Sequence, residues 1–194
     1  MATLMGRIDV GGSLRLQWTP EALEEAIRLG SLDADRRYEI LNGELYEKIG
    51  QNWPHTFAVD ALILAFRGLD PDRFYVSCQA PVRSGRDLPE PDVKVVSGGL
   101  HGRREVPNAS EALLVIEVSD STLAIDQRLK AVIYARSGAP VYWVVDLVHR
   151  QVIVHTEPSE AGYMATHVVS STGLIPPAFD GCPVIPVADL LAVE

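Results

Sequence analysis

Pro91-Asp92 opens the apolar run Val93-Lys94-Val95-Val96, and Ala112-Leu113-Leu114-Val115-Ile116 leads into Glu117-Val118-Ser119. Lys130 follows Glu117 by thirteen residues, in a stretch with helical character. Two carboxylates on neighbouring strands with a cation facing them are what metal-assisted hydrolysis of a phosphodiester requires. Hard oxygen ligands without Cys or His partners suit magnesium or manganese better than zinc. Such an ion would activate a water and steady the charge growing on the phosphate, and Lys130 could orient that water or neutralise the same charge.

The spacing makes the meeting geometrically sound. A helix starting near Ala124 carries Lys130 roughly 9 Å along its axis at 1.5 Å per residue. Glu117 lies roughly 10 Å back from the strand end at 3.3 Å per residue. A crossover helix runs antiparallel to the strand it leaves, so the two side chains fall at one level. If the runs opened by Asp92 and closed by Glu117 pair as an antiparallel hairpin, the two acids are neighbours, and their repulsion calls for a divalent cation. The competing readings are structural: Asp92 as a strand-start acid, and Asp126 with Lys130 as a surface pair one helical turn apart. Glu117 is harder to explain that way, because it ends a run with no other charge, where an unpaired carboxylate is expensive.

The elements that must hold these residues are legible in outline. Residues 1–17 carry little pattern and read as a tail. Thr19-Pro20-Glu21 starts a helix that stops at Gly30. Asn42-Gly43 between two strand-like runs marks a hairpin. Pro54 opens a second helix, ending near Gly68. Strands are expected at 74–77, 81–83, 92–97 and Ala112–Ser119, the last buried on both faces. Ser121 or Thr122 caps a helix running to Ser137, with Gly138 as its stop. A buried strand follows at 141–145, then outer antiparallel strands at 151–155 and 163–169, and a short closing helix from Pro186 to Leu191. The strand–helix–strand step implies a right-handed parallel crossover. The expected class is mixed α/β: a central, partly parallel sheet flanked by helices, with an added N-terminal helix and hairpin and C-terminal antiparallel strands. It is read as one domain over 19–194 after a tail at 1–18.

Composition bounds the partners. The chain has 194 residues, 47% of them apolar, and no run approaching a membrane span. Cys78 and Cys182 fit no metal spacing and read as reduced thiols of a cytoplasmic protein. A net charge of −9 opposes nucleic-acid binding, although the local field decides. Over 82–104, Arg83, Arg86, Lys94, Arg103 and Arg104 outnumber Asp87, Glu90 and Asp92. That segment is either a basic rim for DNA or a solvated loop. Trp53, Tyr142 and Trp143 could stack on bases, with core packing the favoured use. The loop at 97–110 reads either as a flap near the site or as an exposed connection.

A resemblance joins these pieces. Tyr38-Glu39-Ile40-Leu41-Asn42-Gly43-Glu44-Leu45, His55, Pro91-Asp92, Glu117-Val118-Ser119, Asp126, Lys130, Tyr134 and Tyr142-Trp143-Val144-Val145-Asp146 together resemble the Uma family of restriction-endonuclease-like proteins, in the PD-(D/E)XK nuclease superfamily. The match runs from about Thr19 to Leu191. It implies a four-stranded mixed sheet flanked by helices and a magnesium-dependent endonuclease site acting on DNA. Asp92 and Glu117 are then the metal ligands. The lysine usually found two residues after the second acid is replaced by Ser119, and Lys130 matches a lysine moved to the next helix. Glu44 corresponds to an extra acid, with Glu39 its competitor. His55 and Asp126 are further candidates, His55 against the alternative of a solvent-facing residue at a helix start. A homodimer through the apolar residues of the outer strands, at 152–154 and 168–169, is also expected. The alternative function is a non-catalytic oligomeric module that keeps the fold.

Overall fold

Local signals decide the first third of the chain. The computed structural model describes residues 6–10, 13–48 and 50–192. The alternating stretches on either side of Gly11-Gly12 form an antiparallel hairpin, β1 (Gly6–Val10) and β2 (Ser13–Gln17), where the sequence reading expected a patternless tail. Helix α1 (Pro20–Arg28) starts where Thr19 accepts the Ala22 N–H, with Pro20 in its first turn. A second hairpin follows, β3 (Tyr38–Leu41) and β4 (Glu44–Glu47). Its turn holds Asn42 at φ 53° and Gly43 at φ 77°, the left-handed pair that matches strand twist. Helix α2 (Trp53–Phe66) is capped by Asn52, whose side chain accepts the His55 N–H at 3.1 Å.

The main sheet comes next. Its strands are β5 (Phe74–Cys78), β6 (Val93–Ser97), β7 (Ala112–Ser119), β8 (Val141–Asp146), β9 (Gln151–Ser159) and β10 (Gly162–Ser170). Their order across the sheet is β10-β9-β8-β7-β6-β5, six strands rather than the expected four. Only β7 and β8 are parallel among these neighbours. The crossover between them is a π-helical stretch, Ile125–Lys130, running into α3 (Ala131–Arg136) and ending before Gly138 at φ 82°. The expected α-helix is thus interrupted: a brief α-helical start at Leu123-Ala124, the π-helical stretch, then α3. A short pair, β11 (Leu174–Ile175) with β12 (Ile185–Pro186), and a 3₁₀ turn at Val187–Leu190 close the chain. The strand expected at 81–83 is a loop, tied by single bridges at Arg83–Asn108 and Ser84–Asp87. Pro81 brings no N–H to a ladder there, and the nearby Pro89 and Pro91 bring none either.

Alternation along the sheet divides the core. Val95, Leu114, Ile116, Val118, Trp143 and Val145 face α2 and the closing turn. Val96, Val115, Tyr142 and Val144 face α3. A third, small cluster of Leu23, Ile40 and Leu88 joins α1 to the β3–β4 hairpin. Leu88 exchanges both backbone hydrogen bonds with Ile40, so the segment before Asp92 straps the hairpin onto the sheet. Val152, Val154 and Val169, offered above as dimer contacts, are buried in this chain's own core, and only Val168 of that set is exposed. The pleat turns the first three inward toward Trp143 and Ile175, so these three are covered within the chain itself. Among the described residues no helix is long and apolar enough to cross a membrane.

Candidate active site

The antiparallel register of β6 and β7 pairs Val93 with Ile116, which sets Asp92 beside Glu117. Asp92 Oδ2 accepts the Val118 N–H at 2.9 Å, so this carboxylate is tied to the backbone next to Glu117. Both acids are 2% exposed. They line one cleft of about 380 Å³ between the β3–β4 hairpin, the start of α2 and the π-helical stretch.

Around Asp92 the partners are mostly cationic or N–H groups. His55 Nε2 lies 3.2 Å from Oδ2, Gln51 Nε2 donates to Oδ1 at 3.3 Å, and Lys48 Nζ stands 3.6 Å from Oδ1. His55 stands in the first turn of α2, which carries no acid. Burial opposes ionisation of Asp92, but the His55 hydrogen bond, Lys48 and the Val118 N–H outweigh it, and its pKa falls to about 2. His55 is therefore drawn into the site, against the solvent-facing alternative.

Glu117 sits in a different field. Lys130 Nζ donates to its Oε1 at 3.0 Å and the Tyr134 hydroxyl donates to the same oxygen at 2.8 Å. Burial is nonetheless the largest influence. Asp126 and Asp92 add to it, and the carboxyl is pushed well above its ordinary range despite Lys130 and Lys48. The Lys130 ammonium also lies 2.9 Å from Glu39 Oε2 and 3.6 Å from Asp126 Oδ1. Burial works against its charge, but these three acids hold its pKa above the usual lysine range.

Of the two hairpin acids, Glu39 is the one that lies at the cleft. Pleating carries Glu39 and its cross-strand partner Tyr46 to the cleft. Glu44 does not reach the cluster: it is exposed at the turn end of β4 and accepts the Tyr46 hydroxyl at 3.1 Å. Asp126 is a buried member of the cluster, not half of a surface pair.

The Arg set stands elsewhere. Arg83 pairs with Glu21, and Arg103 holds Glu111 and the Ser97 carbonyl while lying over the Tyr75 ring. Arg86 and Arg104 are exposed, and none of the four lines the cleft. The loop at 97–110 leaves the far end of β6 from Asp92, so it is a connection and not a flap over the acids. Trp143 and Tyr142 are core residues, while Trp53 is 67% exposed at the start of α2.

With this geometry the comparisons become informative. The family model for Uma2, described as "Putative restriction endonuclease", matches residues 23–187. The chain belongs to the Uma2 family. A crystal structure from Anabaena variabilis ATCC 29413, described as a "putative nuclease belonging to DUF820", superposes with a TM-score of 0.61 at 17% identity. It covers 84% of this chain and 94% of that one, a likeness of fold. No curated protein matches.

The donor set of this Uma2 chain fits a hard divalent cation: Asp92 and Glu117 offer oxygen ligands in a cleft where acids outnumber the two lysines. The fit is to two carboxylates and not to a finished cage. Among the described residues no three His, Cys, Asp or Glu side chains converge as metal ligands. Sequence reading missed Lys48 and Gln51, which follow β4 without any periodic signal. Tyr134 was readable as a site residue, since it lies one turn beyond Lys130 on the same helical face.

Proposed function

We propose that this Uma2 chain is a metal-dependent nuclease that hydrolyses phosphodiester bonds of DNA. The observation that carries the reading is the convergence of Asp92, Glu117 and Lys130 in one cleft, with Lys130 Nζ 3.0 Å from Glu117. Asp92 and Glu117 would hold magnesium or manganese. Such an ion, when bound, supplies Lewis acidity and a water acidic enough to attack phosphorus. The chain's own residues do the rest. Asp92 stays ionised at neutral pH because His55, Lys48 and the Val118 N–H favour its charged form. Lys130 brings a permanent positive charge to the cleft, suited to the charge that grows on the phosphate oxygens. Lys48, bonded to the Glu90 carbonyl at 2.7 Å, is a second cation at the cleft wall. The acids and Lys130 are themselves buried at the base of the cleft, which strengthens each of these interactions.

Asp92→Ala tests the reading. Cleavage of plasmid and oligonucleotide DNA in magnesium or manganese should fall at least a hundredfold, on the order of the loss of a major catalytic element, with the far-ultraviolet spectrum unchanged. Cleavage that persists in the purified variant at wild-type rate would refute it.

One observation favours a second reading, a non-catalytic module that assembles with copies of itself: Glu117 is already engaged by Lys130 and Tyr134. Calorimetry separates the two. Manganese binding that Asp92→Ala abolishes supports the nuclease, and no binding at millimolar metal supports the module.

A further inference from the structure

Asp126 is 2% exposed and is held from several sides. Ser119 and Thr122 both donate hydroxyl hydrogen bonds to its Oδ2, Thr122 at 2.6 Å. The Tyr142 hydroxyl donates to its backbone carbonyl at 3.0 Å. β7, β8 and the loop before the π-helical stretch thus each contribute one anchor. With Oδ2 taken by two hydroxyls, Oδ1 is the oxygen that faces Lys130, 3.6 Å from Nζ. That distance is too long for a hydrogen bond but short for a buried charge pair. The π-helical stretch contains both residues, Asp126 at its second position and Lys130 at its last. Wide turns of this kind are concentrated at functional sites.

Lys130 has two nearer partners, Glu39 at 2.9 Å and Glu117 at 3.0 Å. If Glu117 turns its carboxylate to a metal, Lys130 loses one of these. Glu39 pulls from the hairpin and Asp126 from the crossover, and together they hold the ammonium in the cleft. We propose that Asp126 is the positioning residue for Lys130, set in place by Ser119 and Thr122, and is not itself a metal ligand. This rests on the nuclease reading above, and it gives the Ser119 and Thr122 hydroxyls a role in that chemistry.

Asp126→Asn is the sharp test, because an amide keeps the shape and can still accept both hydroxyls through its oxygen while its NH₂ faces Lys130. The expected result is a fall in kcat of about tenfold or more, the scale of one lost transition-state interaction. KM and the calorimetric manganese affinity should stay within about twofold, below the tenfold step that marks one lost polar contact. A crystal structure of the variant should show Nζ displaced from between Glu39 and Glu117. Thr122→Val in a Ser119→Ala background should lower kcat in the same way, and Thr122→Ser in that background should restore part of it. Manganese affinity weakened tenfold by Asp126→Asn would make Asp126 a ligand and overturn the proposal. A lowered melting temperature with unchanged kcat would overturn it too, leaving a purely structural residue. Should the wild type lack metal-dependent cleavage, the nuclease reading fails by itself, and the position of Nζ in the variant still decides: an unmoved ammonium refutes positioning by Asp126.

Discussion

Replacing Lys130 by methionine keeps the aliphatic stem and removes the charge. Three acids then lose their shared cation: Glu117 and Asp126 with side chains 2% exposed, and Glu39 at 8%. Removing one partner of a buried ion pair costs about 3–5 kcal/mol, because the other charge stays desolvated. The remaining support is modest. Tyr134 still donates to Glu117, the Glu90 N–H lies 3.3 Å from Glu39, and Ser119 and Thr122 still hold Asp126. A loss of about 4 kcal/mol is a large part of the roughly 5–15 kcal/mol that stabilises a domain. With a urea slope of about 2 kcal/mol/M, the unfolding midpoint should drop by about 2 M. Lys130→Met with Asp126→Asn should regain part of that loss, since one of the stranded acids becomes a neutral amide. The assay is urea unfolding followed by tryptophan fluorescence at pH 7.5, with Arg28→Met on the exposed face of α1 as a control expected to show no shift. A midpoint within about 0.3 M of wild type, less than 1 kcal/mol on that slope, would show that the cluster does not depend on Lys130 for its charge balance.

Other outcomes follow from the same geometry. Glu39→Gln should slow metal-dependent cleavage by loosening Lys130, whereas Glu44→Gln should not, and steady-state rates on one oligonucleotide decide it. Burial holds the His155 imidazole below its ordinary range, and among the described residues its Nε2 has no hydrogen-bond partner. A folded value below the unfolded one means that its contribution is intact above the unfolded pKa of about 6.5 and is lost as pH falls below it, when the unfolded chain takes up a proton that the folded chain refuses. His155→Phe should therefore reduce the fall in melting temperature between pH 7.5 and 5.5. An equal fall in both proteins would refute the argument.

Much of the frame was legible because its signals are local. The apolar stretch of β7, the Asn42-Gly43 turn and the Thr19-Pro20 cap each carry their own instruction. The meeting of Asp92, Glu117 and Lys130 was also readable, since it needs only two strand registers and one crossover. What was hidden depends on contacts distant in sequence. Lys48 and His55 reach Asp92 from 44 and 37 residues away by packing, which no periodicity announces. Glu39 and Glu44 share one face of the hairpin, so the choice rests on position along it: Glu39 lies at the cleft, while Glu44 sits at the exposed turn end. Lys94 reads as part of an apolar strand, yet it is 1% exposed and donates to the Ala80 carbonyl at 2.7 Å instead of joining the acids. The π-helical stretch has no recognised sequence mark, because its six residues suit an ordinary helix equally well.

The strap before Asp92 makes the cleft a seam between two bodies. One wall belongs to the six-stranded sheet, and the other hangs on a small nucleus in which Leu23, Ile40 and Leu88 are buried and partly buried neighbours such as Trp18 and Tyr38 surround them. Loosening that nucleus would carry Glu39 away and release one tether of Lys130 without touching any group that bonds to Asp92 from β7. A conservative trim there, such as Leu88→Ala, should therefore register first as misaligned chemistry and only later, at higher temperature, as a melted fold.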